Sequence, residues 1–335
     1  MASRRILSID GGGIKGVLPA AFLAAIEDVT GKHIIDYFDL IAGTSTGGII
    51  GLGLGLGLSA RTILDFYVQQ GPKIFDQAPS TTHSILTSLV LFAKRRTKLM
   101  RHLIRSKYDP SNLHSALKVA FGGALLGESK TRLIIPAFDR QRREVHVFKT
   151  AHNSRFAVDW KQRAVDVALA TAAAPTYLPC HSLGNGISLL DGGVWANNPV
   201  GLAAVEAVGV LEWPRDRLFF LSLGCSSEAF VIPENSGLVN LRTLINLLML
   251  GQARGAVGTA KLLARHSEAE KRFFRYDQVV PEGTFGLDTV HQIGALRGIG
   301  EALAREALPD IASVFMQEPR EEFVPVCGRD TSPTK

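Results

Sequence analysis

Gly43-Thr44-Ser45-Thr46-Gly47 is the segment of this chain whose residue types and spacing most directly admit chemistry. A serine with glycines two positions before and two after fits a nucleophile elbow. This is a strained strand-to-helix turn in which neighbouring side chains have no room. The apolar run Tyr37–Ala42 precedes it and a helix-compatible run follows to about Leu58, as such an elbow requires. A serine hydroxyl attacks an ester only when a base takes its proton. Two further segments could complete that chemistry. Asp10-Gly11-Gly12-Gly13-Ile14-Lys15-Gly16 offers backbone amides that a ligand can approach closely, ahead of a helix whose N-terminus favours negative charge. Asp191-Gly192-Gly193, leading into Asn198-Pro199, offers a late carboxylate.

Each segment has a plainer reading. Gly11, Gly13 and Gly16 satisfy a dinucleotide-binding loop, and by themselves read equally as a tight turn. The dinucleotide fingerprint also needs an acid at the end of the second strand, where this chain has Leu40-Ile41-Ala42-Gly43. Asp191-Gly192 alone reads as a structural turn at a strand end. A conventional α/β-hydrolase would place Asp and then His after the serine, with His266 or His291 as the base. Only 44 residues precede Ser45, enough for about one βα unit and a strand, whereas that fold uses several strands first. The chain order suits another arrangement better: oxyanion amides from the first turn, nucleophile from the second, and a late Asp as base.

The elements that must position these residues alternate. Arg5–Ile9, Tyr37–Ala42, Ile187–Leu190 and Arg217–Leu223 read as buried strands, and Arg132–Phe138 with Glu144–Phe148 as a hairpin. Helices are expected over Val17–Thr30, Lys161–Ala173, Leu238–His266 and Thr289–Leu308, and a further strand over Phe273–Val280. Strands alternating with helices indicate an α/β fold with a mainly parallel sheet. Residues 1–317 read as one hydrolase domain carrying a cap-like insertion at about 77–112. Charges and prolines make 318–335 a loose tail.

Of 335 residues, 46% are hydrophobic and 20% charged, which allows a large core. The uncharged stretch Leu40–Ala60 is too glycine-rich for a membrane span and reads as a buried helix packed closely on a sheet. No secretory signal follows Met1, and three widely spaced cysteines form no disulfide framework, so a cytoplasmic location is expected. None of the nine histidines has metal-ligand spacing. The net charge of +6 arises from seven cations between Lys94 and Lys107; without them the chain would carry −1 (6 − 7). A nucleic-acid partner is therefore not expected. The cations Arg95, Arg96, Lys98 and Arg101, interleaved with apolar residues, read as a solvated face, a contact to anionic lipid, or a pocket for an anionic regulator.

Taken together, the glycine loop, the elbow and the Asp-Gly-Gly segment resemble the patatin-like phospholipase family. Ala172–Pro179 and Leu221–Gly224 look like family segments as well, so the resemblance covers roughly Arg5 to Gly224. It implies a three-layer α/β/α fold and a Ser45–Asp191 dyad, with Gly11, Gly12 and Gly13 at the oxyanion hole. Lys15, Gly16, Gly43, Gly47, Gly192 and Gly193 are the supporting motif positions. It implies a lipid acyl hydrolase needing no cofactor, peripheral at the inner membrane face and possible as a homo-oligomer. Gly71-Pro72-Lys73-Ile74-Phe75 looks similar to bacterial patatins of anti-phage defence that a cyclic dinucleotide switches on. A constitutive soluble carboxylesterase, or a nucleotide-binding module using Gly11–Gly16, are the alternatives.

Overall fold

The computed structural model describes residues 3–75, 106–184, 186–229 and 241–328. Strand β1 (Arg4–Ile9) lies at the centre, between β2 (Leu40–Gly43) and β7 (Leu218–Leu223), parallel to both. Strand β3 (Arg132–Asp139) continues the parallel set beyond β2, and β9 (Phe273–Tyr276) continues it beyond β7. Antiparallel strands β4 (Glu144–Lys149), β5 (His181–Ser182) and β6 (Ser188–Asp191) complete an eight-stranded sheet among the described residues.

One detail of this topology builds the site. β3 pairs with β4 through residues 134–139, with β2 at 132–134 and with β6 at 137–139. A strand has two edges, so β6 takes over the edge of β3 that β2 vacates. β2 ends at Gly43, just before Ser45. β6 arrives from the opposite direction and ends at Asp191, opposite Ala137.

Side-chain alternation along β1 divides the core. Leu7 and Ile9 face one helix layer, with α1 (Val17–Thr30), α2 (Thr46–Gly55), α3 (Ala60–Ile74), α4 (Pro110–Phe121), α5 (Ala164–Thr171) and α9 (Ile293–Asp310). Ile6 faces the other, with α7 (Val200–Gly209) and the C-terminal part of α8 (Leu241–Leu263). A four-residue helix α6 (Gly193–Ala196) follows β6. The architecture is thus a three-layer α/β/α fold with a mainly parallel sheet. α2 is buried along its whole length, with Gly48 against Ile135 and Thr171 and Gly55 against Leu133. It packs on the sheet at a distance that larger residues would not permit.

Two expectations are revised. The strand expected over Phe273–Val280 is two strands. Its second part, β10 (Val279–Pro281), pairs in a separate sheet with β8 (Ser227–Ala229). The chain turns between them because Asp277 is used as an acceptor by the Ser226 amide at 3.1 Å and by the Ser227 hydroxyl. The segment after residue 317, expected to be loose, packs back onto the body as far as the described residues go. Arg320 donates to the carbonyls of Ile35 and Lys130, the Val326 amide donates to Ala151, and Phe323 is buried beside Arg132. The insertion at 77–112 lies mostly outside the described residues, although its last residues already belong to α4.

Candidate active site

Ser45 sits at the turn between β2 and α2 with φ 54° and ψ −121°. A left-handed φ on a residue with a Cβ costs of order 1–3 kcal/mol and persists only where surroundings enforce it. Both elbow glycines do so sterically. A Cβ on Gly43 would stand 2.1 Å from the Gly47 carbonyl oxygen, and one on Gly47 would stand 2.2 Å from that of Ile9. Hydrogen bonds hold the rest of the turn. The Ser45 amide donates to Thr171 Oγ1 at 3.0 Å, and that hydroxyl donates to the Pro136 carbonyl at 2.6 Å. Thr44 Oγ1 donates to the Ala196 carbonyl, and Thr46 Oγ1 to Tyr67 Oη, both at 2.6 Å.

Asp191 ends β6 on the same side of the sheet. Its backbone amide donates to the Ala173 carbonyl, and its Oδ1 accepts the Gly193 amide at 2.6 Å. The side chain is buried, and desolvation pushes its carboxyl up to about 6 from the ordinary 3.8. Hydrogen bonding from the Gly193 amide and from the Ser45 hydroxyl acts in the opposite direction, without cancelling the burial. A carboxylate with a pKa near 6 is a better proton acceptor than an exposed one and is still ionised at neutral pH.

The glycine loop approaches from the other side, and here one expectation is corrected. The Gly11 amide donates to the Asn197 carbonyl at 3.0 Å and is therefore committed to the protein. Asn197 Nδ2 donates to the Gly11 carbonyl at 3.3 Å, which holds the loop to the turn after α6. Among the described residues the Gly12 and Gly13 amides donate to no protein acceptor, nor does that of Thr46 in the first turn of α2. Lys15 Nζ donates to the Ser226 carbonyl at 3.1 Å. Behind the loop, Asp10 is buried against Arg275, with contacts of 2.7 and 3.4 Å. Desolvation pushes Asp10 up to about 6, against the attraction of Arg275. Arg275 also reaches Ser222 Oγ and Asp277.

Gly12, Gly13, Ser45, Thr46, Asp191 and Asn197 open into one cavity of about 480 Å³. Its walls are mostly apolar, including Ile49, Phe66, Ile74, Leu178, Leu248 and Met249. An uncharged hydrocarbon chain beside a nucleophile–carboxylate pair is what such a site is shaped to take.

A model of the family described as patatin-like phospholipase matches residues 7–204, more than half of the chain. The chain belongs to the patatin-like phospholipase family. By family it is a serine hydrolase. It is 33% identical over 348 aligned positions to "Patatin-like protein 2" of Arabidopsis thaliana, covering 90% of this chain and 83% of that protein. Two bacterial relatives carry the name "cGAMP-activated phospholipase". That of Pseudomonas aeruginosa is 34% identical over 63% of this chain and 58% of its own length. The one from Escherichia coli is 36% identical over 63% and 56%. The match thus spans under three fifths of these two bacterial proteins.

Within this patatin-like chain the three motif segments expected from sequence converge on one cavity. Arg95, Arg96, Lys98 and Arg101 lie outside the described residues. Thr171, Asn197 and Arg275 escaped the sequence reading. Each acts through a partner more than fifty residues away; Asn197 lies within the Asp191–Pro199 segment without its own role being readable there, and Thr171 and Arg275 stand in none of the three motif segments. Among the described residues no group of three or more His, Cys, Asp or Glu is disposed to hold a metal ion, and no helix is long and apolar enough to cross a membrane.

Proposed function

We propose that the chain is a lipid acyl hydrolase that cleaves phospholipid esters through a Ser45–Asp191 dyad. The observation that carries this reading is a strained, nearly buried Ser45 beside a carboxyl titrating near 6, at one end of an apolar cavity. Ser45 Oγ attacks the ester carbonyl while Asp191 accepts its proton. The amides of Gly12 and Gly13 stabilise the tetrahedral oxyanion, with the Thr46 amide at the start of α2 as a further donor. Each such donor is worth roughly 3 kcal/mol of transition-state stabilisation. Collapse expels the lysolipid alkoxide, which takes the proton back from Asp191. Asp191 then draws a proton from water, whose oxygen attacks the acyl-enzyme and releases the fatty acid. No step requires a metal or organic cofactor.

The names of the bacterial relatives extend the reading to a cyclic dinucleotide activator, and the resemblance carried by Gly71–Phe75 extends it to anti-phage defence. The test is fatty-acid release from phospholipid vesicles by wild type and Ser45→Ala, with and without a cyclic-dinucleotide panel. Release that disappears in Ser45→Ala is the expected result, and dependence on one nucleotide supports the regulated form. Serine-independent release, or none under any condition, would overturn the dyad reading.

A further inference from the structure

We propose that the N-terminal half of α8 docks on a phospholipid bilayer and passes lipid into the Ser45 cavity. The two halves of this helix differ. Its C-terminal half is anchored: Ala260 and the following Ala264 are fully buried against the layer containing α7, and Ala256 packs directly on Gly201. In the N-terminal half, Leu244, Ile245, Leu247 and Leu248 are 42%, 46%, 37% and 64% exposed. At 3.6 residues per turn these four fall within an arc of roughly 160°. Contiguous large apolar side chains at a surface mark an interaction site, whereas scattered ones do not.

The position of this patch decides its partner. Ile245 and Leu248, with Met249 and Gln252, also line the cavity that contains Ser45 and Asp191. Gln252 Oε1 accepts the Asn197 amide at 2.8 Å, tying the helix to the turn that holds the glycine loop. Ile245 and Leu248 therefore extend apolar surface from the outside of α8 into the cavity that holds the reacting groups. A hydrocarbon chain leaving a bilayer along this path meets apolar side chains as it enters the cavity. Charge agrees: the exposed Arg254 is followed by no acidic residue in the helix and preceded by none from Leu244 onward, which suits anionic headgroups. A second copy of the chain seated on the same face would close the cavity it borders, so lipid is the occupant consistent with an open site.

The proposal rests on the cavity being the site of lipid hydrolysis, and the experiment separates the two claims. Vesicles of phosphatidylglycerol and phosphatidylethanolamine are sedimented with Ser45→Ala protein, so that binding is read without turnover. Leu244→Asp/Leu247→Asp changes two exposed residues that do not line the cavity. It should reduce vesicle partition by about tenfold or more. Leu262→Asp, 77% exposed at the anchored end, should leave partition unchanged. In the Ser45 enzyme the double variant should keep its turnover of a soluble short-chain ester, which also shows that it folds, and lose vesicle hydrolysis. Unchanged partition in the double variant would overturn the docking surface. So would absence of vesicle binding by the parent protein, or a change from dimer to monomer with vesicle binding intact. Loss of partition without serine-dependent hydrolysis of either substrate would instead count against the hydrolase reading.

Discussion

Asp191→Asn should abolish ester hydrolysis and at the same time make the protein more stable above about pH 6. The carboxyl titrates near 6 in the folded chain and near 3.8 in its ordinary state, with burial as the main cause. A native pKa above the unfolded one means that the folded state holds the proton more tightly. Stability from this group is therefore full below about pH 4 and is lost as pH rises through about 6. At 1.36 kcal/mol per pH unit, the buried carboxylate then costs about 3 kcal/mol. Asparagine keeps an oxygen for the Gly193 amide and has no charge to desolvate. A chain of 335 residues has an unfolding entropy near 0.7 kcal/mol/K, so the variant should melt about 4 °C higher than wild type near pH 8. The gap should close towards about pH 4, where wild-type Asp191 is neutral as well. Scanning calorimetry across this range, paired with ester release at each pH, provides the comparison. Wild-type activity should rise with pH through an acid limb near 6 as the base deprotonates. A variant that melts no higher than wild type near pH 8 would refute the reasoning. An offset equal at both ends of the range would do the same, because it would arise from packing and not from charge.

Two other perturbations address the supports of the site. Thr171→Val keeps the shape but removes the oxygen that accepts the Ser45 amide and donates to Pro136. With two buried groups unpaired, stability should fall by about 2–4 kcal/mol. Misplacement of the nucleophile should cost kcat roughly 10–100-fold on a soluble ester. Thr171→Ser should restore most of both, and a serine variant as poor as valine would show that the hydroxyl is not the cause. Arg275→Leu leaves Asp10 buried without its cation and should destabilise by about 3–5 kcal/mol in urea melts. Adding Asp10→Asn should recover much of that loss; strictly additive losses would mean the pair does not act as a unit.

What the sequence determined by itself was whatever depends on near neighbours. The elbow is legible because its requirement is local: glycines two positions either side of Ser45, a strand before and a helix after. Helix α1 is legible over Val17–Thr30 because an unbroken helix-forming run meets Gly31, whose φ of 66° closes it. The carboxylate at Asp191 could be singled out from its order in the chain and the resemblance it completes. That it meets Ser45 was decided by β6 replacing β2 along one edge of β3, a pairing that local propensity does not encode. Glycine spacing shows where a Cβ is excluded, but not which amides remain free. Asn197 takes the amide of Gly11 from 186 residues away. The charged, proline-containing end read as loose because composition reports solubility and says nothing of Arg320 finding two carbonyls. Likewise, a helix over Leu238–His266 could be foreseen, but not which of its residues the fold leaves uncovered. Burial is a property of what packs against a residue, and those neighbours come from distant parts of the chain.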